Sequence, residues 1–257
     1  MAEADRISVA CSPALQLESL PAIKFDEGRL AEHRIVGLNR GDSRTRPFNL
    51  LRTKLAQLLQ GPSPRLIGVT SATPAAGKSF ISVNLALSLA KVAEGPVILV
   101  DLDLRRGSVA AELGLEPVRD VRTFLLGEAA LQDIGMRIEG LPLFILPTNA
   151  AAQESAELLA GERFIHLGQA LRAQPANTVV LFDLPPVFAN DDALLSVERL
   201  DGYILVVDST ETSKAHVVDA MSMLAPTPCI GTILNRYKGP MFDKFGYGSD
   251  VYGKYYG

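Results

Sequence analysis

Residues 66–80 read Leu-Ile-Gly-Val-Thr-Ser-Ala-Thr-Pro-Ala-Ala-Gly-Lys-Ser-Phe. Residues 66–70 have strand character and lead into a loop of small residues, after which Phe80, Val83, Leu87 and Ala90 recur at helical spacing. Strand, loop and helix in that order place the open N–H groups and partial positive charge of a helix N-terminus beside a strand end, which suits phosphate. Lys78 adds a full positive charge, and the Ser79 hydroxyl is of the kind that ligates magnesium in such loops. Ala75, Ala76, Gly77, Lys78, Ser79 and Phe80 therefore form the candidate segment for binding ATP with magnesium. The common loop pattern, G-x-x-x-x-G-K-[ST], has glycine where this chain has Ala72.

Outward from this loop, short apolar runs at 97–102, 143–146, 179–182, 203–207 and 230–234 alternate with segments able to form helices. Strands apolar on both faces belong in a parallel sheet covered by helices on each side, because neither face meets water. The expected fold is α/β, a doubly wound, mostly parallel sheet of the P-loop type. Before the loop, Phe48, Leu51, Leu55 and Leu58 follow Pro47 at helical spacing, predicting a helix over 45–59 that Gly61-Pro-Ser-Pro64 stops. Residues 1–42 have scattered apolar positions interrupted by Pro13, Pro21, Gly28, Gly37 and Gly41, and read as a loosely ordered extension. The expected organisation is that extension, one domain over 43–240, and a flexible tail over 241–257.

Two further segments carry acids at strand ends. Residues 97–106 read Val-Ile-Leu-Val-Asp-Leu-Asp-Leu-Arg-Arg, so Asp101 and Asp103 share a face by the two-residue period of a strand. In a doubly wound sheet the carboxyl ends of strands line the ligand crevice, so both acids are expected to face the phosphates with Leu102 turned away. Residues 179–186, Val-Val-Leu-Phe-Asp-Leu-Pro-Pro, place Asp183 where a magnesium-linked carboxylate of a P-loop enzyme belongs. Buried acids are costly unless paired or metal-bound, which favours a functional reading of all three.

Composition narrows the rest. A chain of 257 residues that is 47% apolar can bury one large core, and a net charge of -4 with a pI near 5.5 supplies no basic footprint for nucleic acid. Cys11 and Cys229 form no close pair, which suits a reducing, cytoplasmic compartment. No stretch approaches the roughly 20 apolar residues of a spanning helix, so any membrane role is expected to come through a partner. Four of the six tyrosines, Tyr247, Tyr252, Tyr255 and Tyr256, fall in the last eleven residues, where interleaved glycines oppose helix and strand.

Taken together, these segments resemble the bacterial tyrosine autokinases that regulate capsule and exopolysaccharide production. The resemblance spans residues 48–257 and rests on Ser71, Pro74, Gly77, Lys78 and Ser79 in the loop, on Asp101, Asp103 and Arg105, on Asp183, Pro185 and Pro186, and on the tyrosine cluster. It implies that Lys78 and Ser79 hold MgATP, that Asp103 and Asp183 join Ser79 at the metal, and that Asp101 and Asp103 divide metal binding and acceptance of the tyrosyl proton, with Asp101 favoured as base. It also implies Asn235 as an adenine contact, Tyr247, Tyr252, Tyr255 and Tyr256 as phosphoacceptors, and a separate membrane-embedded polysaccharide co-polymerase as activator that recruits the chain to the inner face of the membrane. A tail of about eleven residues extends at most roughly 35–40 Å, about the width of such a domain, so transfer between neighbouring copies is expected over transfer within one.

The chain departs from the pattern in two places. The loop has Ala75 and Ala76 where relatives read Gly-Glu, and the preceding helix keeps only Arg52 of a ring-forming E-x-x-R-x-x-R, with Arg46 and Asn49 at the other positions. Two other functions stay open: a partition- or division-type ATPase switch, whose signature lysine position holds Thr73 here, and a nucleotide-binding interaction module of an export complex.

Overall fold

The computed structural model describes residues 15–39, 42–59, 61–149 and 152–238. Eight strands form one sheet: β1 (Ala22–Ile23), β2 (Arg65–Ser71), β3 (Val97–Asp101), β4 (Met136–Ile138), β5 (Leu143–Leu146), β6 (Val179–Asp183), β7 (Gly202–Asp208) and β8 (Cys229–Asn235). The helices are α1 (Glu27–Glu32), α2 (Arg46–Leu58), α3 (Lys78–Ala90), α4 (Val109–Leu113), α5 (Val121–Leu125), α6 (Leu131–Ile134), α7 (Ser155–Ala160), α8 (Glu162–Arg172), α9 (Asp192–Val197) and α10 (Lys214–Met223). The strand order is β1-β4-β5-β3-β6-β2-β7-β8, with every pair parallel except β4 and β5. The expected doubly wound α/β architecture is present, and β2, which feeds the phosphate loop, lies between β6 and β7.

Alternation along the strands builds two cores. Ile98 and Val100 of β3 face a layer that includes Phe124, Phe164, Leu167 and Leu171, whereas Val97 and Leu99 face the layer of Val83, Leu87 and Phe48. Helix α3 is central to the second layer, and every residue in it except Phe80 is buried. Phe80 meets Phe48 of α2 edge to face, with ring centroids 5.9 Å apart. The ring-helix positions Asn49 and Arg52 turn toward the same helix: Ser88 Oγ donates to Asn49 Oδ1 at 3.4 Å, and Arg52 donates to the Ser88 carbonyl at 3.4 Å.

The expectation of a loosely ordered extension over 1–42 is corrected for the part that is described. Leu15, Leu17 and Leu20 lie in one core and Leu30, Ile35 and Val36 in the other, and β1 extends the sheet beside β4. Asn84 of α3 accepts the N–H groups of Val36 at 2.8 Å and Gly37 at 2.9 Å, tying this segment over the central helix. Gly37 fits there because a Cβ would stand 2.7 Å from the Asn84 carbonyl oxygen. A two-residue strand and single buried leucines leave no sustained period in sequence, so the packing was not legible. The short β4 was missed for the same reason. Residues 1–14, including Cys11, and the tail over 241–257 lie outside the described residues.

Candidate active site

The parallel ladder brings the three acid- and lysine-bearing segments together. Registers of β2 with β6 and of β3 with β6 place Val69 beside Asp183 and Asp101 beside Asp183, so the loop after β2 rises next to both acidic strand ends. Gly77, at φ 87°, precedes α3, and Ala75 also adopts a left-handed backbone at φ 60°. The turn therefore needs the left-handed conformation that glycine adopts without cost, and here an alanine takes it.

Lys78 is the electrostatic centre. Its Nζ lies 2.7 Å from Asp103 Oδ2 and 3.9 Å from Asp183 Oδ2, and only 11% of its side chain is exposed. Burial opposes its charge, but the carboxylates of Asp183, Asp103 and Asp101 outweigh that cost and raise the ammonium pKa above its ordinary value. Asp183 is fully buried and accepts the Ser82 hydroxyl at 3.0 Å through Oδ1, while Oδ2 has no hydrogen-bond partner. Burial raises its pKa, partly countered by Lys78 and by the hydroxyls of Ser79 and Ser82.

Asp101 and Asp103 do not face one way. The strand ends at Asp101, and beyond it the chain turns, so the two-residue period stops applying. Asp101 is fully buried: Oδ1 accepts the Asp103 N–H at 3.1 Å and Oδ2 accepts those of Ser108 and Val109, each at 3.0 Å. Burial and then the Asp183 charge raise its pKa well above the carboxylate range despite those donors. Only Asp103 reaches Lys78. Leu102 and Leu104 are both buried in the core, as expected for Leu102.

Arg105 points away from Lys78, its Nε donating to Ser155 Oγ at 2.8 Å and standing 3.4 Å from the buried Asp192. Asn235, at the end of β8, donates from Nδ2 to the Ala76 carbonyl at 2.8 Å and so lies directly against the phosphate loop. Ser82 and Ser108 are site residues that sequence reading missed. Ser82 had a usable signal in its i, i+3 spacing from Ser79, whereas Ser108 reaches Ser79 only through the turn after β3.

The donors present suit a hard cation. Among the described residues no three His, Cys, Asp or Glu converge on one point. A metal here would draw on the Ser79 hydroxyl, one or two carboxylates and ligand phosphates, which is the mode of magnesium rather than of an all-protein cage. Asp183 Oδ2, buried, without a hydrogen bond and 3.9 Å from the Lys78 ammonium, is an oxygen that a cation or its water would satisfy. The tyrosines Tyr247, Tyr252, Tyr255 and Tyr256 lie outside the described residues. Of the two described tyrosines, Tyr203 is buried in β7 and Tyr237 is exposed.

No protein-family model matches the chain. It is 27% identical over 229 residues to the tyrosine-protein kinase YwqD of Bacillus subtilis, a match covering 88% of this chain and 95% of that protein. It is 30% identical over 80% of its length to the putative tyrosine-protein kinase EpsB of Ralstonia nicotianae, of which it spans 27%. Among solved structures, the BceF tyrosine kinase domain matches with a TM-score of 0.67 at 26% identity, covering 86% of this chain and 93% of that one. The septum site-determining protein MinD of Pyrococcus horikoshii, complexed with Mg-ADP, matches with a TM-score of 0.54 at 26% identity, covering 68% of this chain and 71% of that one.

Proposed function

The chain belongs to the bacterial tyrosine-protein kinases, a family built on the P-loop ATPase fold, and we propose that it uses ATP and magnesium to phosphorylate Tyr247, Tyr252, Tyr255 and Tyr256 of neighbouring copies. The observation that carries this reading is the Lys78 ammonium held between Asp103 and Asp183 at the mouth of a phosphate loop. An entering nucleotide offers that ammonium the β- and γ-phosphates in place of Asp103, and phosphoryl transfer asks mainly for such positioning and charge neutralisation. Ser79 and Asp183 would hold magnesium, with Asp103 beside them, and the ion supplies charge neutralisation on the transferring phosphate.

The two acids then divide the remaining work by access. Asp101, the base implied by the family resemblance, has no exposure and both oxygens occupied by three backbone N–H groups. Asp103 lies at the crevice and is released when Lys78 turns to phosphate, so we assign proton acceptance to Asp103 and the anchoring of the following turn to Asp101. Asn235, already against the phosphate loop, is proposed to contact adenine. The biological role proposed is control of exopolysaccharide or capsule polymerisation and export at the inner face of the membrane, with a membrane-embedded co-polymerase as activator. Among the described residues no helix is long and apolar enough to cross a membrane.

A mixing experiment tests the kinase reading. Lys78→Met should lose most nucleotide binding, because no other cation in the loop replaces its charge. That chain, with its tail intact, is mixed with an otherwise wild-type chain truncated after Phe245, in ATP, magnesium and a source of the activator. Label should appear on the Lys78→Met partner at the tail tyrosines and be absent from Tyr203, which is 1% exposed. Label confined to intact wild-type molecules would mean transfer within one chain. No tyrosine phosphate in any arrangement would leave a nucleotide-binding module.

A further inference from the structure

Ser108 occupies the N-cap position of α4, where a serine hydroxyl ordinarily accepts a hydrogen bond from the first turn of the helix. Its hydroxyl makes no such bond. Capping is done instead by Asp101, whose Oδ2 takes the N–H groups of both Ser108 and Val109. Relieved of that work, Ser108 Oγ turns to Ser79 and donates to its Oγ at 2.7 Å, a short contact between residues 29 positions apart. The approach is built into the turn. Gly107 passes so close to Thr148 that a Cβ would lie 2.4 Å from the Thr148 carbonyl oxygen, and the Thr148 hydroxyl donates to the Asp101 carbonyl at 2.8 Å.

We propose that Ser108 is a positioning residue of the magnesium site, acting through Ser79. A hydroxyl oxygen has two lone pairs and one proton. With Ser108 donating to one lone pair of Ser79 Oγ, the orientation of the remaining lone pair and of the Ser79 proton is restricted, and the oxygen meets a cation preorganised rather than as a free rotor. Two other polar groups stand near Ser79 Oγ: the Lys78 ammonium, at 3.5 Å, is too distant to set that orientation, and the Asp183 carboxylate, an acceptor, engages the Ser79 proton and leaves its lone pairs to Ser108 and the cation. Asp101 acts one step further out: by capping α4 in place of the serine, it keeps the Ser108 hydroxyl available. The inference rests on the MgATP reading of the site and adds to it a residue outside the phosphate loop and its acids.

The test is binding of a fluorescent ATP analogue, titrated with and without magnesium, to the full chain and to Ser108→Ala and Ser108→Thr. In Ser108→Ala the magnesium concentration giving half of the affinity gain should rise on the order of tenfold, the scale of lost outer contacts at metal sites. Magnesium-free affinity and thermal midpoint should stay near wild type, because the hydroxyl does not cap the helix. Ser108→Thr, which keeps the hydroxyl, should restore the wild-type titration. An unchanged magnesium titration in Ser108→Ala overturns the proposal, and so does an equal loss of affinity with and without magnesium, which marks a merely structural role. A wild-type chain that binds the analogue with no gain from magnesium would instead strike the MgATP reading, and this inference with it.

Discussion

Asn235 and Ala76 are 159 positions apart in sequence, yet the Asn235 amide donates to the Ala76 carbonyl at 2.8 Å and joins the last described strand to the phosphate loop. The link is close: a Cβ on Gly77 would stand 2.3 Å from Asn235 Nδ2. The Asn235 side chain is oriented from its other end by the Arg236 N–H, which donates to Oδ1 at 2.9 Å. One side chain thus supports the loop and supplies the amide proposed to meet adenine.

Replacing Asn235 with alanine should lower ATP affinity about five- to tenfold, the scale of one net hydrogen bond of about 1 kcal/mol. GTP affinity should change less, because guanine presents a different edge to the amide. Competition calorimetry with both nucleotides measures this, and equal losses for the two purines would assign Asn235 to loop support alone.

Ala75 stores strain. Its φ of 60° lies where an L-residue pays about 1–2 kcal/mol, and glycine there pays no such cost. Against this stands the greater freedom of glycine in the unfolded chain, worth about 0.4–1 kcal/mol. Ala75→Gly is therefore expected to stabilise the protein by about 0.5 kcal/mol, a rise of roughly 1–2 °C in melting temperature for a domain of this size. Ala76→Gly, at a position without positive φ, is the control and should lower it.

The raised pKa of Asp183 makes metal-free stability depend on pH. Its carboxyl holds a proton to higher pH in the fold than in the unfolded chain, where it titrates near 3.8, because burial outweighs the help of Lys78, Ser79 and Ser82. Between those two values the folded state binds more protons, so stability falls as pH rises through that window. Asp183→Asn should raise the metal-free melting temperature near neutral pH and flatten the slope, while Asp101 and Glu112, both raised in the same direction by burial, keep part of it. The same substitution should abolish the magnesium dependence of nucleotide binding. A melting profile from about pH 4 to 7 with wild-type slope would separate Asp183 from this linkage.

Much of the fold was legible in local pattern. The six apolar runs at 66–70, 97–102, 143–146, 179–182, 203–207 and 230–234 correspond to β2, β3, β5, β6, β7 and β8, since a strand buried on both faces leaves an uninterrupted apolar signature. The helix expected over 45–59 is α2, started by its early proline. The segment over residues 15–39 left no such mark, because it packs through single leucines and through backbone N–H groups donated to Asn84.

What the sequence determined by itself is the chemistry available at the site: a loop lysine and serine, three carboxylates at strand ends and an asparagine after the last strand are residue types at fixed offsets from strand and loop signals. Tertiary structure alone decided how that chemistry is shared. Asp101 and Asp103 are two positions apart, yet one is sealed under three backbone N–H groups and the other meets Lys78, because the chain turns where β3 ends. The contacts of Ser108 with Ser79 and of Asn235 with Ala76 likewise join residues far apart in the chain. Local periodicity reports which face of an element is apolar, but which hydroxyl, amide or carboxylate stands within 3 Å of another depends on strand order and on the paths of the turns between elements.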